Sequence, residues 1–277
     1  MVNRLIGALL LAALALTLNA CRSVENYDDP DGPLFEGSFS QEGPELDGPL
    51  KVVTWNIAFG EEIDEAIEEL SQSDELSAAD ILLLQEMDEA GVEAIAQALG
   101  LNYVYYPASV HSKHDKNFGN AILSKWPLSD PQKIILPHKN PKNNQIRIAA
   151  SALVDVNGEL IPVYSVHTET YWLGGDARSD QLDALLDDLQ SSYEYMIVGG
   201  DFNTLTPGSV DDLEERFKSV ELERSTAEAG PSIGLGGIGL TLDQIFTKGF
   251  QVGQSGSYSG SESSDHNPLW VELDFND

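Results

Sequence analysis

Disulfides are excluded from the start: the 277-residue sequence has a single cysteine, Cys21, so a hydrophobic core alone must hold the fold. Basic residues are scarce. Fifteen Lys and Arg stand against 46 Asp and Glu, a formal charge of −31 at pH 7. Such a chain is soluble and self-repelling, and ill suited to coating long polyanions. The longest apolar run, residues 5–18, is shorter than the ~20 residues a spanning helix needs. There is no internal repeat. The Gly-rich stretch GPSIGLGGIGL (230–240) lacks a Lys-Ser/Thr and precedes a strand pattern, so it is expected to be a loop and not a phosphate cradle.

What is present begins with an address. Arg4, the apolar run and Leu18-Asn19-Ala20-Cys21 have the layout of a secretory signal. The last four residues resemble a bacterial lipobox. That resemblance implies removal of residues 1–20, lipidation of Cys21 and a membrane-anchored protein outside the cytoplasm. Residues 21–47 hold eight acidic residues among repeated Pro and Gly with no apolar period, and are expected to form a flexible tether. Residues 48–277 suit one large α/β domain, expected to be a monomer.

Within that domain, β-branched apolar runs predict strands at 51–55, 81–84, 103–106, 120–124, 146–154, 160–166, 195–198, 242–246 and 269–273. Asn157-Gly158 predicts a two-residue hairpin. Apolar spacing predicts helices over 63–70, 92–99 and 177–189, and Ser209-x-x-Asp212 opens another. Strands and helices in mixed order, with hairpins inside, predict two sheets face to face with helices outside.

One event repeats along the chain. Buried strands end in polar residues: Asn56, Glu86, His167, then Asp201 with Asn203. Asp243 sits at the start of another, and Asp265-His266 precede the last. Side chains collected at strand ends can converge on one cleft. The set contains only Asp, Glu, Asn and His, with no Ser or Cys nucleophile, and suits a hard, oxygen-ligated ion such as Mg²⁺ or Mn²⁺.

The segments TWNIAFG (54–60), LLLQEMD (82–88), GNAILSKWPL (119–128), YSVHTET (164–170), VGGDFNT (198–204), LDQIF (242–246) and SDHNPLWVEL (264–273) resemble the successive motifs of the endonuclease/exonuclease/phosphatase superfamily. The resemblance implies a four-layer α/β/β/α sandwich with two mixed sheets face to face. It also implies metal-dependent hydrolysis of a phosphate ester. By the same resemblance Glu86 is the principal metal ligand, helped by Asn56 and Asp265. Asp201 serves the attacking water, and Asn203, His167 and His266 contact phosphate, with Asp243 orienting His266. SVHTET departs from the Asn-Thr-His-Leu of many members, which leaves the neighbours of His167 open. An active-site tyrosine, with Tyr106 and Tyr171 as candidates, is not fixed by the pattern.

The substrate is less legible. Seven of the fifteen basic residues lie between His111 and Arg147. This positive island, with Lys113, Lys116 and Lys139 as candidate contacts, is expected to flank the cleft and to favour a phosphodiesterase or nuclease. A sphingomyelinase-like phospholipid phosphodiesterase, a polyol phosphatase and a non-catalytic surface binding module on the same fold are the other readings. Tyr171-Trp172-Leu173 is the one apolar segment suited to touching a membrane.

Overall fold

The computed structural model describes residues 24–40, 43–111, 113–170, 174–189, 192–235 and 238–276. The first half of the chain runs β1 (Glu25–Asn26), β2 (Phe35–Gly37), β3 (Leu50–Asn56), α1 (Ile63–Gln72), β4 (Ile81–Met87), α2 (Glu89–Leu99), β5 (Asn102–Val110), β6 (Asn117–Ser124) and β7 (Leu128–Leu136). The second half runs β8 (Arg147–Val156), β9 (Glu159–His167), α3 (Gly175–Asp188), β10 (Met196–Asp201), α4 (Pro207–Lys218), β11 (Glu223–Arg224), β12 (Ile233–Leu235), β13 (Ile238–Leu240), β14 (Asp243–Lys248), β15 (Phe250–Ser257) and β16 (Leu269–Phe275).

One sheet has the order β5-β6-β4-β3-β16-β15, with β1 and β2 both paired to β5. The other has the order β11-β14-β10-β9-β8-β7. Both are mixed, because β3 pairs β4 and β9 pairs β10 in parallel while the remaining pairs are antiparallel. Strand side chains alternate between faces, and here both faces are apolar. Val52, Ile81 and Leu83 pack inward against Ile161, Val163 and Ile197 of the second sheet. Val53, Trp55, Leu82 and Leu84 pack outward on Ala66 and Leu70 of α1 and Val92 and Ile95 of α2. On the far side Tyr164, Val198 and Phe246 meet Leu182 and Leu185 of α3 and Leu213 and Phe217 of α4. Three apolar seams between four layers give the α/β/β/α sandwich. They also explain why the central strands read as continuous apolar runs.

Local chemistry sets the boundaries. Asp88 caps α2 by accepting from the Gly91 amide at 2.7 Å, and Gly100, at φ 67°, ends it in the left-handed conformation. Asn157 and Gly158, both with positive φ, make the predicted turn between β8 and β9. The start of α4 differs from expectation: Thr206 is the cap and Ser209 its third helical residue, so the box closes one turn earlier. The Gly-rich loop folds into the small β12–β13 hairpin. Strands β7 and β15 escaped the sequence reading because their faces are largely half-exposed or exposed and their pattern is correspondingly polar.

The expected tether is corrected by the structure. Val24 is buried, and β1 and β2 add to the open edge of β5. The Trp126 indole donates to the Pro44 carbonyl at 2.9 Å, and Lys133 donates to the carbonyls of Tyr27 and Gly32. Backbone pairing with an unfilled sheet edge orders the segment without an apolar period of its own. Cys21 and the signal lie outside the described residues. Among the described residues no helix is long and apolar enough to cross a membrane.

Candidate active site

The strand-end residues come from both sheets and meet at one end of the seam between them. In the second sheet the ladder places Asp201 Cα opposite His167 on one side and Asp243 on the other. Gly200 permits this: a Cβ there would collide with the Val166 carbonyl, and its φ of 152° suits glycine. In the first sheet Asn56 ends β3, and Glu86 lies in β4 at an irregularity in its pairing with β6. Glu86 adopts φ 61°, a left-handed conformation costly for a non-glycine residue. Such strain is commonly held where a side chain must be aimed. Asn56 links the sheets by donating from Nδ2 to Asp201 Oδ2 at 3.1 Å.

Asp201 is the hub. Its Oδ1 accepts from the Asn203 amide at 2.8 Å. Its Oδ2 lies 3.5 Å from His167 Nε2 and 4.0 Å from His266 Nε2. Burial and the charge of Asp243 lift its pKa to about 7, against His266, the Asn203 amide and Asn56.

The two histidines carry different charges. Burial, then the neighbouring Arg147 and His266, hold His167 well below its ordinary value, so it is neutral. Arg147 Nη1 sits 3.4 Å from His167 Nδ1. A guanidinium only donates, so Nδ1 accepts and the imidazole proton belongs on Nε2, facing Asp201 and Glu86. Burial also opposes a charge on His266. It is overcome by Asp243, through charge and a 2.7 Å hydrogen bond to Nδ1, and by Asp201 and Asp265, so the pKa rises to about 10. The loop carrying His266 is anchored to β3: Ser264 Oγ donates to the Asn56 carbonyl at 2.6 Å and Trp55 Nε1 to the His266 carbonyl at 2.9 Å.

The donor set fits a divalent cation. Glu86, Asp201, Asp243 and Asp265 crowd one cleft, and burial pushes the Glu86 carboxyl up despite Arg147, His266 and Asn56. Carboxylates raised by burial are short of positive charge, and a hard cation removes that penalty. Asp201, Asp243 and His266 also cluster closely enough to suggest a metal site. His266, however, is cationic and bonded to Asp243, and an imidazolium has no lone pair to give. Glu86, with Asn56 and the exposed Asp265 nearby, is a second group of oxygen donors that could hold a cation.

Arg147, which sequence reasoning left within the positive island, belongs to this site. Buried at the head of β8, it pairs through Nε with Glu169 Oε2 at 3.4 Å and lies over the Phe118 ring. Glu169, two residues beyond His167 in SVHTET, thus supplies a partner for a buried cation. An arginine opening the apolar run RIAASALV was the available signal. Asn203 stands at φ 52° with Nδ2 donating to the Thr168 carbonyl at 3.0 Å. A file of rings leads outward from His167 through Phe118 and His111 to Phe59 and His114.

Other expected contacts are placed elsewhere or already engaged. The Tyr106 hydroxyl donates to the Pro131 carbonyl at 3.0 Å. Tyr171, with Trp172 and Leu173, lies outside the described residues. The island is largely neutralised: Lys116 pairs with Asp88 at 2.9 Å, Lys139 with Asp28 of the N-terminal arm at 3.4 Å, and Lys125 with Asp80 at 2.8 Å. Lys113 is exposed.

Fold and site together define a two-sheet sandwich whose cleft joins buried carboxylates to one neutral and one cationic histidine. The chain belongs to the endonuclease/exonuclease/phosphatase family, whose pattern matches residues 53–266. Members of that family are phosphoesterase hydrolases and generally depend on a divalent metal. A UPF0294 protein of Yersinia pseudotuberculosis is 33% identical over 132 residues, which cover 46% of this chain and 50% of that protein. The match thus spans about half that relative's length. An endonuclease/exonuclease/phosphatase from Beutenbergia cavernae superposes with a TM-score of 0.68 at 17% identity, over 83% of this chain and 72% of that one. The mannosyl-6-phosphatase of Bacteroides thetaiotaomicron gives 0.62 at 19%, over 82% and 100%. These structural likenesses speak to the fold.

Proposed function

We propose that the protein is a Mg²⁺- or Mn²⁺-dependent phosphodiesterase of nuclease type, acting outside the cytoplasm and anchored through a lipid on Cys21. The observation that carries the reading is the geometry of the buried Asp201 carboxylate, whose Oδ2 lies 3.5 Å from Nε2 of the neutral His167 and 4.0 Å from Nε2 of the cationic His266, with burial raising its pKa. A base near neutrality can take a proton from water, while the cationic donor beside it offers N–H to a phosphate oxygen. Asp201 Oδ2 removes the water proton. His266 keeps its charge because Asp243 holds Nδ1, and presents Nε2–H to the phosphoryl group. His167 offers its Nε2–H and Arg147 adds buried positive charge behind it. Asn203 has a second Nδ2–H for a phosphate oxygen beyond the one given to Thr168. A divalent ion seated on Glu86, with Asn56 and Asp265, would supply Lewis acidity to the phosphate and its leaving oxygen.

The strong negative charge and the paired island favour short or exposed diesters over long duplexes. A phospholipid head group is the second reading, supported by the lipobox-like Cys21 and by an arm that docks from Val24 onward. The test is hydrolysis by the mature chain with Mg²⁺ or Mn²⁺ of a short oligonucleotide, sphingomyelin vesicles and a phosphorylated polyol, beside Asp201→Asn. Metal-dependent cleavage of the oligonucleotide, lost in the variant, is the expected result. Turnover of the vesicles alone would move the assignment to the lipid reading, and no turnover of any of the three would remove it.

A further inference from the structure

Helix α3 carries two buried or half-buried polar residues, Arg178 and Gln181, one turn apart on the same face. Both hold the loops that carry the cleft residues. Arg178 Nη2 donates to the Phe202 carbonyl at 3.3 Å and the Asn203 carbonyl at 3.0 Å. Gln181, fully buried, accepts from the Glu169 amide at 2.9 Å and donates to the Pro137 carbonyl at 2.9 Å. The two loops are themselves joined, since the Thr168 amide donates to the Asp201 carbonyl at 3.0 Å.

The peptide units gripped by Arg178 follow Asp201 directly. Asn203 is in the left-handed region, φ 52°, which asparagine adopts more readily than other non-glycine residues. That conformation brings the Asn203 amide to Asp201 Oδ1 and leaves Oδ2 facing Asn56, His167 and His266. Two carbonyls on adjacent residues, turned the same way, need a donor that reaches both, and the guanidinium does so. Arg178 also lies close enough to Asp201 and Glu169 for its charge to be felt by both. The helix is braced in turn: Arg216 of α4 donates to Ser179 Oγ at 2.6 Å and pairs with Asp183, both on α3.

We infer that Arg178 is a positioning residue for the phosphoesterase reaction, clamping the Phe202–Asn203 backbone from α3 so that the Asp201 carboxylate is presented to the attacking water. The inference rests on the function proposed above. It predicts an effect on kcat more than on substrate affinity, because the hydrogen bonds of Arg178 run to the loop carbonyls.

The test compares the mature wild type with Arg178→Ala and Arg178→Lys. Arg178→Ala is expected to lower kcat about ten- to hundredfold, the scale of a small misplacement of a reacting group, with KM and the concentration of Mg²⁺ for half-activation within about threefold. Added methylguanidinium should restore kcat several-fold in Arg178→Ala and not in wild type. Lysine, a compact and strongly hydrated ammonium on a flexible stem, should recover only part of the rate. A folded Arg178→Ala with wild-type kcat overturns the inference. So does a loss matched by a fall in Tm and unrelieved by methylguanidinium, which marks a merely structural residue. Should the wild type hydrolyse none of the phosphate esters, the proposed function fails, and amide exchange decides the clamp separately. Faster exchange at Asn203 and Thr168 in Arg178→Ala supports it; unchanged exchange overturns it.

Discussion

Asp243 Oδ2 and His266 Nδ1 stand 2.7 Å apart across 23 residues of sequence, both residues buried. Among the described residues Asp243 Oδ1 has no hydrogen-bond partner, so the hydrogen bonding of this carboxylate goes to the imidazole. The two side chains act as a unit. Asp243→Asn and His266→Ala should each lower kcat/KM by about a hundredfold or more, and the double variant little further. Kinetics of the four proteins settle it; losses that simply multiply would break the pairing.

The same pair gives metal-free stability a pH dependence. His266 titrates at about 10 in the folded protein, against an ordinary value of 6.5. Between those values the folded chain binds a proton the unfolded chain has lost. Stability from this group is therefore complete below pH 6.5 and is lost as pH rises towards 10, by a few kcal/mol at most. Urea unfolding of the apoprotein between pH 6.5 and 9.5 should show the decline. In Asp243→Asn it should largely vanish.

Glu86 should separate function from stability. Its carboxylate is only 14% exposed and burial raises its pKa, so without a cation its charge is a burden. Glu86→Gln should leave the apoprotein as stable or more stable, by about 1 kcal/mol, while weakening Mn²⁺ binding at least about tenfold. Calorimetric titration giving unchanged Mn²⁺ affinity would place the metal elsewhere.

The N-terminal arm should prove part of the domain. Deleting residues 22–47 uncovers the β5 edge and removes partners of Trp126, Lys133 and Lys139. A loss of at least about 2 kcal/mol is expected, or a Tm lower by roughly 5 °C. An unchanged melting curve would return the arm to the status of a tether.

The island lysines should matter less than their number suggests. Lys116 and Lys139 already pair with Asp88 and Asp28. Changing Lys113, Lys116 and Lys139 together to Gln should flatten the log–log salt dependence of oligonucleotide KM by about 0.7, one phosphate contact, and not by the ~2 of three contacts. A slope change near 2 would make all three direct contacts.

Much of this protein was legible before folding was considered. Both-face burial makes β3, β4, β9 and β10 read as unbroken apolar runs, and a polar residue ending such a run is conspicuous. Asn56, Glu86, His167 and Asp201 could therefore be picked out one by one, and their order with Asp243, Asp265 and His266 carried the family resemblance. Period and caps located the helices to within a few residues for the same local reason. The rest depends on neighbours remote in sequence. An acidic, Pro-rich arm looks unfoldable until the open edge of β5 and the island lysines are set beside it. Arg147 looks like one cation among seven until Glu169 and His167 close around it. Arg178 looks like a solvated helix residue until the loop after Asp201 presents two carbonyls to it. The charge states behave alike: a sequence names a histidine, but burial against Arg147 makes His167 neutral, and burial against Asp243 makes His266 a cation. Residue type and local period are properties of the chain, whereas pairing, dielectric and strain arise only when distant segments share one interior.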